Sequence, residues 1–261
     1  MRDETAAASE PITPKLAESP AEPSSRNTPV EPGVAVEVPL PLWAKLYQSV
    51  AFALSALLSP YLVIPAGTVG IVASQPVPPG LNSRRIFLLW TSLSIFFSTV
   101  VPALYVLVQT LRGKITDIHV MEREQRGGPF LVAILSSAVG AYVLKTVNFD
   151  GIQAPAGVWG IGLVLAVNGI VMFWISSFWK ISMHVSVLSA TVLAAIVTIP
   201  EISAWRLAWM IPALMWARVT RGRHSIWQGI GGCVVACLVT GAVLYSINLW
   251  PRFMQAVQRL V

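Results

Sequence analysis

Arg218, His224 and Gln228 follow one another in Ala217-Arg218-Val219-Thr220-Arg221-Gly222-Arg223-His224-Ser225-Ile226-Trp227-Gln228, between two apolar runs. An arginine presents a planar fork of donors that matches phosphate oxygens. A neutral histidine can attack phosphorus or carry a proton near neutral pH. A polar side chain four positions later lies one helical turn on and can orient the ring. A second polar stretch, Lys180-Ile181-Ser182-Met183-His184, opens another apolar run. A helix starting there would turn its first N–H groups and positive dipole end toward an anion. Ser182 is placed to cap it, and His184 puts an ionisable ring at the edge of an apolar segment. A third stretch, Lys114–Pro129, carries Lys114, His119, Glu122 and Arg126. Each has a plainer account as well: basic residues snorkelling to water, an interfacial histidine with a partner, and a solvated helix pairing Glu122 with Arg126 at i,i+4.

The elements that must position these groups are membrane helices. The chain has 261 residues, 55% hydrophobic and 11% charged, against roughly 25% charged in soluble domains. Its net charge of +6 is split: residues 1–41 hold three basic and seven acidic residues, so the remainder carries +10. Basic residues beside apolar runs suit anionic lipid or a phosphorylated substrate, and their place at the bilayer face argues against nucleic acid. Cys233 and Cys237 lie four apart inside an apolar run and read as small hydrophobes.

Residues 1–41, with eight prolines, form an expected disordered tail, since such a composition cannot bury a core. That tail lacks the basic start, short apolar core and cleavage site of a signal peptide. Residues 42–261 form an expected all-α, polytopic bundle of six to seven transmembrane helices. The candidates are Leu46–Ala73 (kinked or ended by Pro60 and Pro65), Ile86–Leu111, Pro129–Leu144, Val158–Trp179, His184–Ile199, the short Leu207–Trp216 with Pro212 inside, and Ile230–Leu249. Trp43, Trp159, Trp179, Trp205 and Trp250 fall near their ends, as an interfacial belt would place them.

An even number of runs separates each polar stretch from the next, so all three are expected at one face of the membrane. With seven spans that face also holds Lys45, Arg112, Arg123, Arg221 and Arg223, nine basic residues in all. The other face holds six: Arg84, Arg85, Lys145, Arg206, Arg252 and Arg259. The excess leans the polar face to the cytoplasm but is small enough to leave the side open. The setting expected is a bacterial-type cytoplasmic membrane or its equivalent.

Taken together, the three stretches resemble the type 2 phosphatidic acid phosphatase superfamily, the integral-membrane relatives of the vanadium haloperoxidases. That family shows K-x6-R-P, then P-S-G-H, then S-R-x5-H-x3-D. Here the third motif reads A-R-x5-H-x3-Q through Arg218, His224 and Gln228, and the second reads I-S-M-H through Ser182 and His184. The first is weakest: Arg126 reaches a proline only after Gly127-Gly128, and the position seven before it is His119 rather than Lys114. The resemblance covers about residues 112–235.

It implies a metal-independent, cofactor-free phosphoric monoester hydrolase acting on a lipid phosphate or a polyprenyl diphosphate. His224 would be the nucleophile and His184 the acid on the leaving oxygen. Arg218 and Arg126, with Ser182, would hold the phosphoryl oxygens, and Lys114 would join them only where the loop departs from the family pattern. Gln228 stands where the family has an aspartate that orients the nucleophile. Such a substitution points to slow chemistry or to a lipid-binding descendant that has lost turnover. A magnesium-dependent prenyltransferase fits poorly, because only Asp117 and Asp150 lie outside the tail as aspartates. A transporter is disfavoured by the lack of clear internal repeats.

Overall fold

The computed structural model describes residues 41–115, 125, 127–148, 151–199 and 202–258. The expected tail, apart from Pro41, lies outside the described residues, as does Arg126. In chain order the elements are α1 (Leu42–Leu57), α2 (Pro60–Ala73), α3 (Ser83–Ile95), a π-helical turn (Phe96–Val100), α4 (Val101–Leu111), α5 (Gly127–Thr146), α6 (Ala156–Ser176), α7 (Met183–Thr198), a 3₁₀ segment (Ile202–Trp209), α8 (Met210–Thr220), α9 (Ile226–Ser246) and α10 (Trp250–Gln258). No strand occurs among the described residues. Helices satisfy their backbone internally, which lipid demands.

Four helices are long and apolar enough to cross a bilayer: the continuous Ser83–Leu111, α5, α6 and α9. A fifth crossing is counted when α1 and α2 are taken as one span bent by 51°. The chain is therefore an integral membrane protein. Each of the seven apolar runs falls on helix, but not all as full spans. At 16 residues α7 is short, and α8 has 11, against the roughly 20 that a hydrocarbon core of ~30 Å requires.

Two interruptions have sequence causes. At Ser59 the backbone turns extended, and Pro60, which lacks an N–H, restarts the helix as α2. In Ser83–Leu111 the Val101 N–H reaches back to the Phe96 carbonyl. That wide turn admits Pro102 within an otherwise unbroken apolar helix.

The centre of the bundle is α7. It is apolar or small on every face, the pattern of a helix enclosed by protein, and His184 through Ala190 are all buried along it. Val185, Leu188, Val192 and Ile196 pack with Leu58, Val63 and Leu214, while Ala190 and Val197 pack with Val164, Ala236 and Val243. Small residues let the neighbours close in, as is usual between membrane helices. A Cβ on Gly232 of α9 would sit 2.7 Å from the Ser182 carbonyl, and one on Gly162 of α6 2.8 Å from the Ser137 carbonyl of α5. Cys233, half-buried, packs against the α7 core as a small hydrophobe.

Candidate active site

The local sequence after α8 forces the chain to turn back on itself. Gly222 adopts φ +63, a left-handed conformation that glycine takes without steric cost. The Gly222 N–H donates to the Val219 carbonyl at 2.9 Å and the Arg223 N–H to the Arg218 carbonyl at 3.1 Å. Those two bonds are the Schellman pattern that ends a helix. They bring Arg223 and His224 back beside Arg218, so residues five and six positions apart share one end of α8.

The next helix then begins at once. Ser225 caps α9: its hydroxyl accepts from the Gln228 N–H at 3.3 Å, and the Gln228 side-chain oxygen accepts from the Ser225 N–H at 3.1 Å. This reciprocal capping box fixes which end of the Gln228 amide faces back, because a backbone N–H can only donate. The same oxygen lies 3.1 Å from His224 Nδ1. An oxygen can only accept there, so Nδ1 carries the proton, and in the neutral ring Nε2 keeps its lone pair. Gln228 thus holds the ring's tautomer while closing the first turn of α9.

The second polar stretch is tied to the third through the backbone: the Ser182 N–H donates to the Gln228 carbonyl at 3.2 Å. Ser182 occupies the N-cap of α7 without a side-chain capping bond. Its fully buried hydroxyl has no partner among the described residues. His184, in the first turn of α7, is buried.

His184, His224, Arg218, Arg223 and Lys180 line one cavity of about 220 Å³. Around them the wall comes from Tyr61 at the start of α2 and Pro129 in the first turn of α5. Its apolar lining includes Ile64, Val106, Phe130, Ile134, Leu165 and Val187. Ser98 and Thr99 of the π-helical turn and Asn168 of α6 add polar groups to the wall. Asn168 is locked by Ser186 of α7, donating from Nδ2 at 3.0 Å.

The charged side chains among the described residues that line the cavity are Lys180, Arg218 and Arg223; the acidic residues of the chain all lie outside the described residues. Arg218 is only 5% exposed, with Nη1 donating to the Ser55 hydroxyl at 3.0 Å and Nε buried without a partner among the described residues. Arg221 and Arg223 bear on it as like charges. Keeping a guanidinium out of water costs on the order of several kcal/mol, and an anion in the cavity would offset that cost.

Of the residues expected to do chemistry, the structure brings His184, His224 and Arg218 to one cavity, with Gln228 on the His224 ring and Ser182 hydrogen-bonded behind it. Lys114 is exposed beyond the end of α4 and does not line the cavity. The α4 carbonyl of Gln109 takes the Lys114 N–H, and this turn carries the side chain outward. Arg126 lies outside the described residues. Lys180, Arg223 and Tyr61 were missed as individual lining residues. The first two lay inside basic stretches already singled out, while Tyr61 follows a proline read only as a kink. Ser55 carried no signal, being one small residue in an apolar run. No family model, curated protein or solved structure matches this chain.

Proposed function

We propose that this chain is an integral-membrane phosphatase that hydrolyses a lipid phosphate or polyprenyl diphosphate through a phosphohistidine intermediate. The observation that carries it is the meeting of two histidines with three cationic side chains in one cavity whose other described lining is largely apolar. A phosphate ester would place its anionic head among Arg218, Arg223 and Lys180 and its chain against Phe130, Ile134 and Leu165. The order and spacing of the motifs, which resemble those of the type 2 phosphatidic acid phosphatases, support the same chemistry.

In the proposed reaction the His224 Nε2 lone pair attacks phosphorus and the ester P–O bond breaks. Protonated His184 gives its proton to the departing oxygen. Water then attacks the phosphohistidine while His184 takes up its proton, releasing phosphate and restoring neutral His224. Arg218 and its neighbours neutralise charge on the non-bridging oxygens as it develops. In this scheme the bundle crosses the membrane six or seven times, with α7 and the 3₁₀ segment plus α8 counted as crossings.

The test is phosphate release from diacylglycerol phosphate and from undecaprenyl diphosphate by the full chain in detergent. Release that vanishes in His224→Ala supports the nucleophile assignment, and equal release by the variant removes it. A second reading, a lipid-binding protein without turnover, is favoured by Gln228, because a neutral amide supplies no charge to steady an imidazolium. At the comparable position of a serine-protease triad, Asp to Asn lowers turnover about 10⁴-fold. Lipid-phosphate binding that depends on Arg218, with no release from either substrate, would select this reading.

A further inference from the structure

Ser55 belongs to none of the polar stretches, yet it alone among the described residues accepts a hydrogen bond from the Arg218 side chain, at 3.0 Å and from 163 positions away. Both partners are buried. Ser55 lies near the end of α1, just before the break at Ser59–Pro60 from which Pro60, Tyr61 and Ile64 run on to line the cavity. Around it α1 grips the end of α8 repeatedly. Gln48 Nε2 donates to the Thr220 carbonyl at 3.3 Å, and Trp216 Nε1 donates to the Tyr47 hydroxyl at 2.8 Å. The Arg221 guanidinium sits 4.8 Å over the Phe52 ring. Tyr47, Gln48, Phe52 and Ser55 recur at helical spacing, so one face of α1 is committed to α8 and the turn that follows it.

A guanidinium on a flexible stem has rotamers to lose, and its value to an anion depends on where the fork points. Among the described residues it is the Ser55 hydroxyl that holds this fork. A hydroxyl aims a guanidinium without neutralising it. We propose that Ser55 is a positioning residue for the phosphate-holding Arg218, with α1 as the strut that keeps the arginine aimed into the cavity. The role rests on the proposed function to the extent that it needs a phosphate-bearing ligand beside Arg218.

The experiment uses the full chain in detergent and measures the dissociation constant of inorganic phosphate, kcat and KM on diacylglycerol phosphate, and Tm. The variants are Ser55→Ala, the nearly isosteric Ser55→Cys and Ser55→Thr, each alone and combined with Arg218→Lys. Loss of a hydrogen bond to a charged group predicts phosphate binding weakened about tenfold in Ser55→Ala and Ser55→Cys. Ser55→Thr, which keeps the hydroxyl, should return it to near the parent value. In the Arg218→Lys background the Ser55 changes should add little, because they act through the arginine.

Unchanged phosphate binding with only a lowered Tm overturns the proposal, since that is the signature of packing alone. So does an effect that persists undiminished in Arg218→Lys. A parent chain that binds phosphate without turning over lipid sinks the phosphatase reading but leaves the Ser55 series decisive on binding. A parent that binds no phosphate sinks both.

Discussion

Both ends of this helical bundle carry basic residues, but among the described residues only the cavity end buries one. At the end remote from the cavity, Arg84, Arg85, Lys145, Arg206 and Arg252 are all exposed. Lys145 rests its ammonium 5.0 Å above the Trp159 ring, a surface arrangement of the kind that anchors a helix end at an interface. At the cavity end Arg218 is buried, and Lys180 and Arg223 face the same space as two histidines. The difference teaches that the count of charges says little about where an anion goes. What distinguishes the cavity end is that the chain keeps a cation in a costly place and leaves part of its fork without a partner among the described residues.

That contrast can be broken most directly at His224. Its replacement by alanine should lower phosphate release by at least about 10³-fold, as removal of a nucleophile does, with initial-rate phosphate assay as the check. Next comes Arg218→Met. It should reduce kcat/KM about 10²- to 10³-fold through the lost transition-state charge and at the same time raise Tm, because an apolar side chain of similar size removes the cost of burying a charge. Arg206→Ala at the opposite end should leave kcat/KM within about twofold and Tm nearly unchanged, as surface substitutions do. An equal loss at the two ends would erase the distinction drawn between them.

Gln228→Glu sharpens the comparison by changing charge with little change of shape. A glutamate at this place still completes the capping box with Ser225, so the fold should hold. Its negative charge would favour the imidazolium of His224, so the acid limb of the pH–rate profile should move to higher pH, while kcat on the plateau rises several-fold. A flat response would mean that the amide was never limiting. Among the changes around the site, the smallest effect expected is that of Gly222→Ala. A side chain in the left-handed region costs roughly 1–2 kcal/mol, to be read as a fall in Tm with a modest loss of rate as Arg223 and His224 drift from Arg218.

Much of this was legible in residue order, and the reasons for the remainder are physical. Every long apolar run lies on helix because lipid leaves the backbone few other options. Hydropathy could not tell that α7 is short and enclosed by protein, however: enclosure by protein and enclosure by lipid select the same residues. The Arg218–Gln228 region was readable because its geometry is local. A glycine two positions after the last helical turn and a Ser-x-x-Gln cap fix it within a dozen residues. The Lys114–Pro129 region has no such local lock. Lys114 proved exposed, and Arg126 lies outside the described residues. Ser55 was illegible because its meaning depends wholly on a partner 163 residues away, and a serine in an apolar helix usually bonds only its own carbonyls.

The brevity of α7 has a consequence for depth. Its 16 residues extend about 24 Å, some 6 Å less than a typical hydrocarbon slab. Because its flanks meet protein rather than acyl chains, the bilayer is not required to thin around it. On the proposed phosphatase reading, a shortfall of that size leaves room for a recess at the cavity end. Through it a phosphorylated lipid would move sideways into reach of the histidines with its chain still solvated by neighbouring lipids, so that only the anionic head would have to shed water.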